Sequence, residues 1–543
     1  MTISVERVNW PFSGGMARDY LDNFNKLGHL YEYNPWSTES YQHRLNYLDE
    51  HYGSARPIVA ESLLRYNQNL GASAQTIHNI ELFAQGAQMV ITGQQAGITT
   101  GPLYTIYKAI TTINLATKLT KQLNRDVVPV FWIAAEDHDF VEVNHINVLD
   151  QAHHLSRLVL ELPDTGRKSV GCIWDETEIQ EFLRKLQDNL VETEFSSAII
   201  DFLSEQAQIS TNLADWFGRI MGWLFREQGL IMANPMDPVF RQLEAPLFAQ
   251  ILNNHQQLSQ ALYQGVQAVE AAGFQPQVLA EENHAHLFIY MDGARTALYE
   301  QSPGQFGTRD GQRTWTLEEL LTLCQDHPES FSTNVVTRPI AQDLLFPVIA
   351  YIAGPGEIAY YGLYRKVYQC LNSQMPVIHP RMHATLIEPG VKRLLEKYQL
   401  EFQDVVAGLQ GKLQKALAEQ DEVGIDQRMA QARQEMQTIY DTLIQQLTKI
   451  DGSLEKLGQE NLERVLGQLE FLGSKAQQKH RHNSEGLVKH YHRLEAALLP
   501  GGNRQERVFN VITYLNKFGP DVINQIVELA TNVEREHLVV YLG

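Results

Sequence analysis

One pattern occurs twice in this chain: an apolar run, a glycine-rich turn, a helical stretch and a second apolar run. In the first copy residues 88–91 are a short apolar run ending in Thr92-Gly93-Gln94-Gln95-Ala96-Gly97-Ile98-Thr99-Thr100-Gly101-Pro102. Leu103, Ile106, Tyr107, Ile110, Ile113 and Leu115 then follow at helical spacing, and 127–134 reads as a strand buried on both faces. The second copy has a strand over 344–353, whose early part Pro347 restricts, then Gly354-Pro355-Gly356-Glu357. A helix over 358–371 and a strand over 376–379 complete it. Parallel strands joined through a helix cross over right-handed. Two such units predict an α/β fold with a doubly wound parallel sheet, built from residues 1–149 and 334–388. The stretch 150–333 reads as inserted mixed α/β material, with turn signals at Pro163-Asp164, Asn234-Pro235, Met291-Asp292-Gly293 and Ser302-Pro303-Gly304.

The texture changes from about residue 389. Met436, Tyr440, Leu443, Leu447, Ile450, Leu454 and Leu457 alternate spacings of four and three, and Val465, Leu469 and Leu472 resume the seam. That is a heptad repeat, so 389–499 is predicted to be a helical coiled coil. An upstream helix carrying Val391, Leu394, Tyr398, Phe402, Val405, Leu409, Leu413 and Leu417 can pair with it, with the turn at 421–426. An intramolecular antiparallel pair and a homodimer are the two readings. Pro500-Gly501-Gly502 leads into a closing helical segment, 500–543.

At 543 residues the chain exceeds one core, and 44% hydrophobic with 20% charged residues describes a globular protein. The net charge of −20 lacks the basic footprint of a nucleic-acid binder. Three scattered cysteines (Cys172, Cys324, Cys370) fit a reducing compartment and make no zinc site. The chain opens without a basic-then-apolar leader, and no apolar run reaches the length of a membrane span. A cytoplasmic protein is expected.

Ligands of an open parallel sheet bind beyond the carboxyl ends of its strands, where strand order reverses. Three polar clusters fall there. In the first, Thr92, Gly93, Gln94, Gln95, Gly97, Gly101 and Tyr104 surround a turn with Pro102 at a helix start, where free N–H groups favour an anion. It matches neither the P-loop nor the dinucleotide fingerprint; a turn needed only for packing is the plain alternative. Lys108 falls in the second helical turn and can point elsewhere. In the second cluster, Glu136, Asp137, His138 and Asp139 follow a buried strand, with Glu142, Asn144 and His145 beyond. Four such groups in a row are costly unless they face a cleft, where a carboxylate can take a proton from an attacking amine or bind hydroxyls. A solvated acidic loop is the plain alternative; the spacing fits no established metal motif. The third cluster is Arg338, Gln342, Gly354, Gly356 and Glu357, with Tyr360, Tyr361 and Tyr364 behind, and Arg381 after the last strand to hold phosphate or carboxylate.

These stretches, in this order, resemble the BshC family, cysteine-adding ligases of bacillithiol biosynthesis. The match is carried by Thr92-Gly93-Gln94-Gln95-Ala96-Gly97, Gly101-Pro102-Leu103-Tyr104-Thr105 and Phe131-Trp132-Ile133-Ala134-Ala135-Glu136-Asp137-His138-Asp139-Phe140. Asn144-His145, Arg338-Pro339, Gln342-Asp343, Gly354-Pro355-Gly356-Glu357-Ile358-Ala359-Tyr360 and Pro380-Arg381 continue it. So do Gln505-Glu506-Arg507, Asn510 and Tyr514-Leu515-Asn516-Lys517-Phe518-Gly519. The resemblance implies a Rossmann-like core related to class I aminoacyl-tRNA synthetases, with inserted connecting-peptide regions and a dimer-forming coiled coil. The implied reaction joins the carboxylate of cysteine to the amine of glucosaminyl-malate, which needs ATP or another nucleotide to activate the carboxylate. The implied catalytic groups are Glu136, Asp137, His138 and Asp139, with the remaining cluster residues binding substrate.

The synthetase signatures HxGH and KMSKS are both missing; Gln94-Gln95-Ala96-Gly97 stands in place of the first. A nucleotide site elsewhere is therefore expected. Arg507, Asn510 and Tyr514 are placed to share a helical face, offering a guanidinium for phosphate, an amide and a ring, outside the sheet cleft. The plain alternative is a capping helix with Tyr514 in the core. A nucleotidyl- or glycosyl-transferase and a non-enzymatic coiled-coil scaffold are the other functional readings.

Overall fold

The computed structural model describes residues 3–9, 15–53, 55–150, 154–162, 165–281, 283–309, 311–419, 424–531 and 535–543. The Pro163-Asp164 turn and residues 421–423 of the proposed helix link lie outside them. The chain divides into two compact units, 1–386 with 504–543, and 387–503.

The first unit is built on a five-stranded sheet. Its strands are β1 (Gln88–Gln94), β2 (Val127–Ile133), β3 (Ile231–Ala233), β4 (Val348–Ala353) and β5 (Val377–Pro380), in the order β5-β4-β1-β2-β3. All neighbours are parallel, with Gln88 opposite Val127, Val130 opposite Ile231, Tyr351 opposite Ile91 and Ile352 opposite His379. Successive side chains of a strand face opposite ways, so a sheet covered on both faces needs apolar residues at every position. The sequence Val-Val-Pro-Val-Phe-Trp-Ile of β2 meets that demand, and all seven residues are buried. Met89, Ile91, Val128 and Val130 pack against Val59, Leu63, Ile80 and Phe83 from the helices Arg56–Asn69 and Ala74–Gln85. Val90, Ile349, Ile352 and Val377 take the other face, against Leu115, Ala116 and Leu119 of helix α1 (Leu103–Leu123). Each such side chain contributes about 1.5–3 kcal/mol on burial.

Strand order reverses between β1 and β4, where the chain moves outward to β2 and β3 on one side and to β5 on the other. β4 starts at Val348, directly after Pro347, which cannot donate to a ladder. The structure departs from the sequence reading at two places here. The stretch read as inserted material supplies β3, a three-residue edge strand too short to show periodicity. The helix expected over 358–371 is two, α2 (Pro355–Tyr361) and Arg365–Cys370, separated at Gly362, where a Cβ would lie 2.3 Å from Met16.

The rest of 150–333 forms helices and a five-stranded antiparallel sheet that includes His284–Met291 and Ala294–Ser302. A three-stranded sheet joins Ile3–Val8, His537–Leu542 and His383–Ile387, so the chain's last strand pairs with its first.

The second unit is helical. Its long elements are α3 (Ile425–Leu447) and α4 (Ser453–Asn483), an antiparallel hairpin. Tyr440 bonds Asn461, Gln477 bonds Asp426, Ile444 packs on Gly458 and Met429 on Gly473. The single seam read over 436–472 is therefore folded back on itself. Asp451-Gly452 breaks it, with the Asp451 carboxylate accepting from the backbone N–H of Ser453. The upstream stretch is not one helix but three, Pro389–Lys397, Phe402–Ala407 and Gln410–Glu419, and all three pack on Glu485–Leu498 rather than on the hairpin seam.

Candidate active site

A cleft of about 780 Å³ opens beyond the carboxyl ends of β1, β2 and β4, at the reversal of strand order. Gly93, Gln94 and Gln95 enter from β1, and Trp132, Ala134, Asp137, Asp139 and Glu142 from β2 and its sequel. Gly354, Gly356, Glu357, Tyr360 and Arg381 follow β4 and β5, and Tyr104, Lys108, Arg338 and Arg507 close the walls. Members of all three clusters thus meet in one cleft.

The floor is an ion pair between buried Lys108 and half-buried Glu357. Lys108 lies one turn along α1 from Tyr104 and its ammonium sits 2.5 Å from Glu357. It also donates to the Gly93 carbonyl (2.6 Å) and the Gln94 side chain (3.0 Å). Glu357 accepts from the Gly354 N–H and the Tyr351 hydroxyl, each at 2.7 Å. Burial alone would raise its carboxyl; Lys108 and these donors hold it below its usual range. Burial draws the Lys108 ammonium down against the pull of Glu357. Sequence reasoning set Lys108 aside because helix phase was the only signal for its direction.

One wall is acidic. The Gln95 amide donates to Asp137 (2.7 Å) and Glu142 (3.1 Å), tying both carboxylates to the end of β1. Asp137 also accepts the Asp139 N–H at 3.2 Å. Two members of the predicted catalytic run leave this wall. Glu136 points into the protein and pairs with Arg241, which also holds Glu244; all three are buried. So paired, Glu136 does not line the cleft. His138 turns toward Arg295, whose guanidinium lies 3.4 Å from its Nδ1 and 3.9 Å from the centre of the Phe288 ring. Burial and Arg295 keep the imidazole below its usual range, so it is neutral at pH 7.

Basic side chains line the cleft as well. Arg338 lies over Tyr351 and donates to the Tyr360 hydroxyl at 3.2 Å. Arg507 lies 5.9 Å over the Tyr104 ring. Among the described residues neither has a carboxylate within 4 Å. Arg381, expected to hold phosphate, is engaged instead by Glu506, whose two oxygens lie 2.8 and 3.1 Å from its guanidinium. Glu506 is fully buried, takes His383 as well, and Arg381 and His383 hold it well below the usual carboxylate range despite its burial. The pairing spans 125 residues, beyond the reach of any local pattern.

Several predicted binding residues lie outside the cleft. Thr92 is buried and donates to the Ile352 carbonyl, fastening β1 to β4. Gln342 is buried in helix Arg338–Leu345 and does not line the cleft. Gly97 and Gly101 fold against each other, since a Cβ on Gly97 would meet the Gly101 Cα at 2.8 Å. With His145 they line a narrow cavity of about 40 Å³ beside the cleft. The helix start they precede is not an open anion site: the Leu103 N–H donates to the Phe509 carbonyl. The shared helical face expected of Arg507, Asn510 and Tyr514 is not formed. Helix α5 (Gln505–Val508) ends before Asn510, so the three share no helical face. Arg507 opens onto the sheet cleft, Asn510 is buried beneath the glycine loop, and Tyr514 is core.

Fold and cleft define an enzyme-like Rossmann domain joined to a helical unit. Residues 3–382 match the family model for the bacillithiol biosynthesis BshC N-terminal Rossmann-like domain, and 384–542 that for the BshC C-terminal coiled-coil domain. The chain belongs to the BshC family. It is 38% identical over 531 residues to a protein of Desulforamulus reducens named "Putative cysteine ligase BshC", covering 97% of each chain. Proteins of the same name from Symbiobacterium thermophilum (38%, 98% of each) and Bacillus cytotoxicus (32%, 99% of this chain and 100% of that one) are similar throughout. No helix among the described residues is long and apolar enough to cross a membrane.

Proposed function

We propose that the cleft joins the carboxylate of cysteine to the amine of glucosaminyl-malate, forming the amide that completes bacillithiol. The observation that carries this reading is that one cleft is lined both by Asp137, Asp139 and Glu142 and by Arg338 and Arg507, two guanidiniums with no carboxylate within 4 Å among the described residues. Both substrates carry amine and carboxylate groups, and a cleft lined by both signs of charge orients such molecules. The acidic wall holds the attacking ammonium and takes its proton, so that the free amine reaches the cysteine carbonyl. Arg338 and Arg507 hold the malyl carboxylates through paired N–H donors. Asp137 is the proton acceptor in this reading, because Gln95 and the Asp139 N–H fix both of its oxygens.

A carboxylate does not acylate an amine unaided, so ATP or another nucleotide is the proposed co-substrate, supplying the leaving group on the cysteine carboxyl. The residues fit one. Gly356 has open space around it, Tyr104 and Tyr360 present rings, and the cleft is of nucleotide size. The helical hairpin is proposed to pair two copies of the chain.

The test is bacillithiol content in cells whose own copy of the gene is deleted, read by mass spectrometry. The wild-type chain should restore it and Asp137→Asn should not. Accumulated glucosaminyl-malate without restoration by the wild type would reject the reading. Nucleotide turnover by the pure protein that ignores cysteine would favour a transferase.

A further inference from the structure

The glycine loop after β1 holds three consecutive residues at positive φ: Thr99 at 46°, Thr100 at 86° and Gly101 at 69°. Two are β-branched, for which this region is strongly disfavoured, and Gly101 with ψ −156° sits where essentially only glycine is found. The Thr99 and Thr100 hydroxyls are buried without a hydrogen-bond partner among the described residues. Such a conformation persists only where its surroundings over-determine it.

Those surroundings come from the far end of the chain. The Asn510 side-chain amide donates to the carbonyls of Gly101 (2.6 Å) and Thr99 (2.9 Å), with that of Ile98 at 3.5 Å. Its own oxygen accepts the Ile512 N–H at 2.9 Å, which fixes which end of the amide faces the loop. On either side the Phe509 carbonyl accepts the Leu103 N–H (2.8 Å) and the Asn510 N–H reaches the Asn147 carbonyl (3.3 Å). Residues 508–510 are thus wedged between the start of α1 and strand His145–Leu149.

The two ends of the loop carry cleft residues. Gln95, at its start, bridges the acidic wall; Tyr104, at its end, lies beneath Arg507. We infer that the 505–510 segment is a clip that holds the glycine loop in its strained form, and that Asn510 is a positioning residue acting on the cleft through Gln95 and Tyr104. This goes beyond the ligase reading, since it concerns how the cleft is assembled and not what it binds.

Asn510→Asp keeps the shape and replaces the donor by an acceptor facing carbonyls. In the full-length protein, hydrogen exchange of amides 97–103 should rise at least about tenfold while amides of β1 and β2 stay unchanged. The calorimetric Kd for glucosaminyl-malate should weaken by about tenfold or more. Gly101→Ala attacks the same conformation from the loop side and should give the same pattern, with the double variant no worse than the poorer single one. Either variant decides the matter if the other does not fold. Unchanged exchange in the loop overturns the clip, and a loosened loop with an unchanged Kd reduces Asn510 to a structural role. Should the wild type not bind glucosaminyl-malate, the ligase reading falls and the exchange measurements alone decide.

Discussion

Arg507 is exposed at the edge of the cleft, over the Tyr104 ring, and among the described residues no carboxylate lies within 4 Å of it. Arg507→Ala should raise KM for glucosaminyl-malate about tenfold to a hundredfold, the worth of one charge-assisted bond, and leave Tm nearly unchanged. Steady-state kinetics with a melting curve checks both. Glu244 offers a different test. It shares Arg241 with Glu136, and burial with the Glu136 charge pushes its carboxyl up to about 7. A raised acid keeps its proton in the folded state after the unfolded chain has lost it. Stability should therefore fall as pH rises from near 4.5 to about 7, by about 1 kcal/mol per unit, and stay flat above. Glu244→Gln should abolish that slope in urea titrations run across the window. At this scale the sequence was half legible. A run of ionisable groups after a buried strand marked the acidic wall correctly at Asp137 and Asp139. It could not sort Glu136 and His138, because their partners Arg241 and Arg295 are more than a hundred residues away.

Helix α1 and helix α2 are tied across the reversal of strand order by the ion pair of Lys108 with Glu357. Removing one partner leaves the other charge without its counterpart. Lys108→Met, which leaves the cleft-lining Glu357 with only its Gly354 and Tyr351 donors, should cost about 1–3 kcal/mol, and the double change with Glu357→Gln should recover part of it. Denaturant titration of the four proteins gives the coupling. Elements of this kind were the most legible part of the chain. Strands β2 and β4 are unbroken apolar runs, and glycine turns follow β1 and β4. Short or interrupted elements were not. β3 has three residues, and the helix expected over 358–371 is two short helices divided at Gly362. The heptad spacing was real, yet periodicity carries no information on whether a helix continues through Asp451-Gly452 or turns back there.

The whole molecule poses the question of what covers the hairpin. Among the described residues of α3 and α4 the buried large apolar side chains are Ile444 and Leu462, whereas Ile439, Leu443, Leu457, Phe471 and Leu472 are 44–60% exposed. Large apolar side chains left open on two adjacent helices mark an association surface more often than not. The heptad spacing supplies the self-complementary pattern that a symmetric pair requires. Covering five such residues on each of two copies contributes several times the stabilisation of one buried leucine, about 1.5–3 kcal/mol each before the entropy of association. A homodimer through the hairpin is the expected state. Changing Leu443, Leu457 and Phe471 together to Glu should convert it to monomer in light scattering at micromolar concentration. The Rossmann unit holds its own cleft residues, so its binding of glucosaminyl-malate should survive the change. A dimer of unaltered mass would place the association elsewhere and leave the hairpin face to another partner.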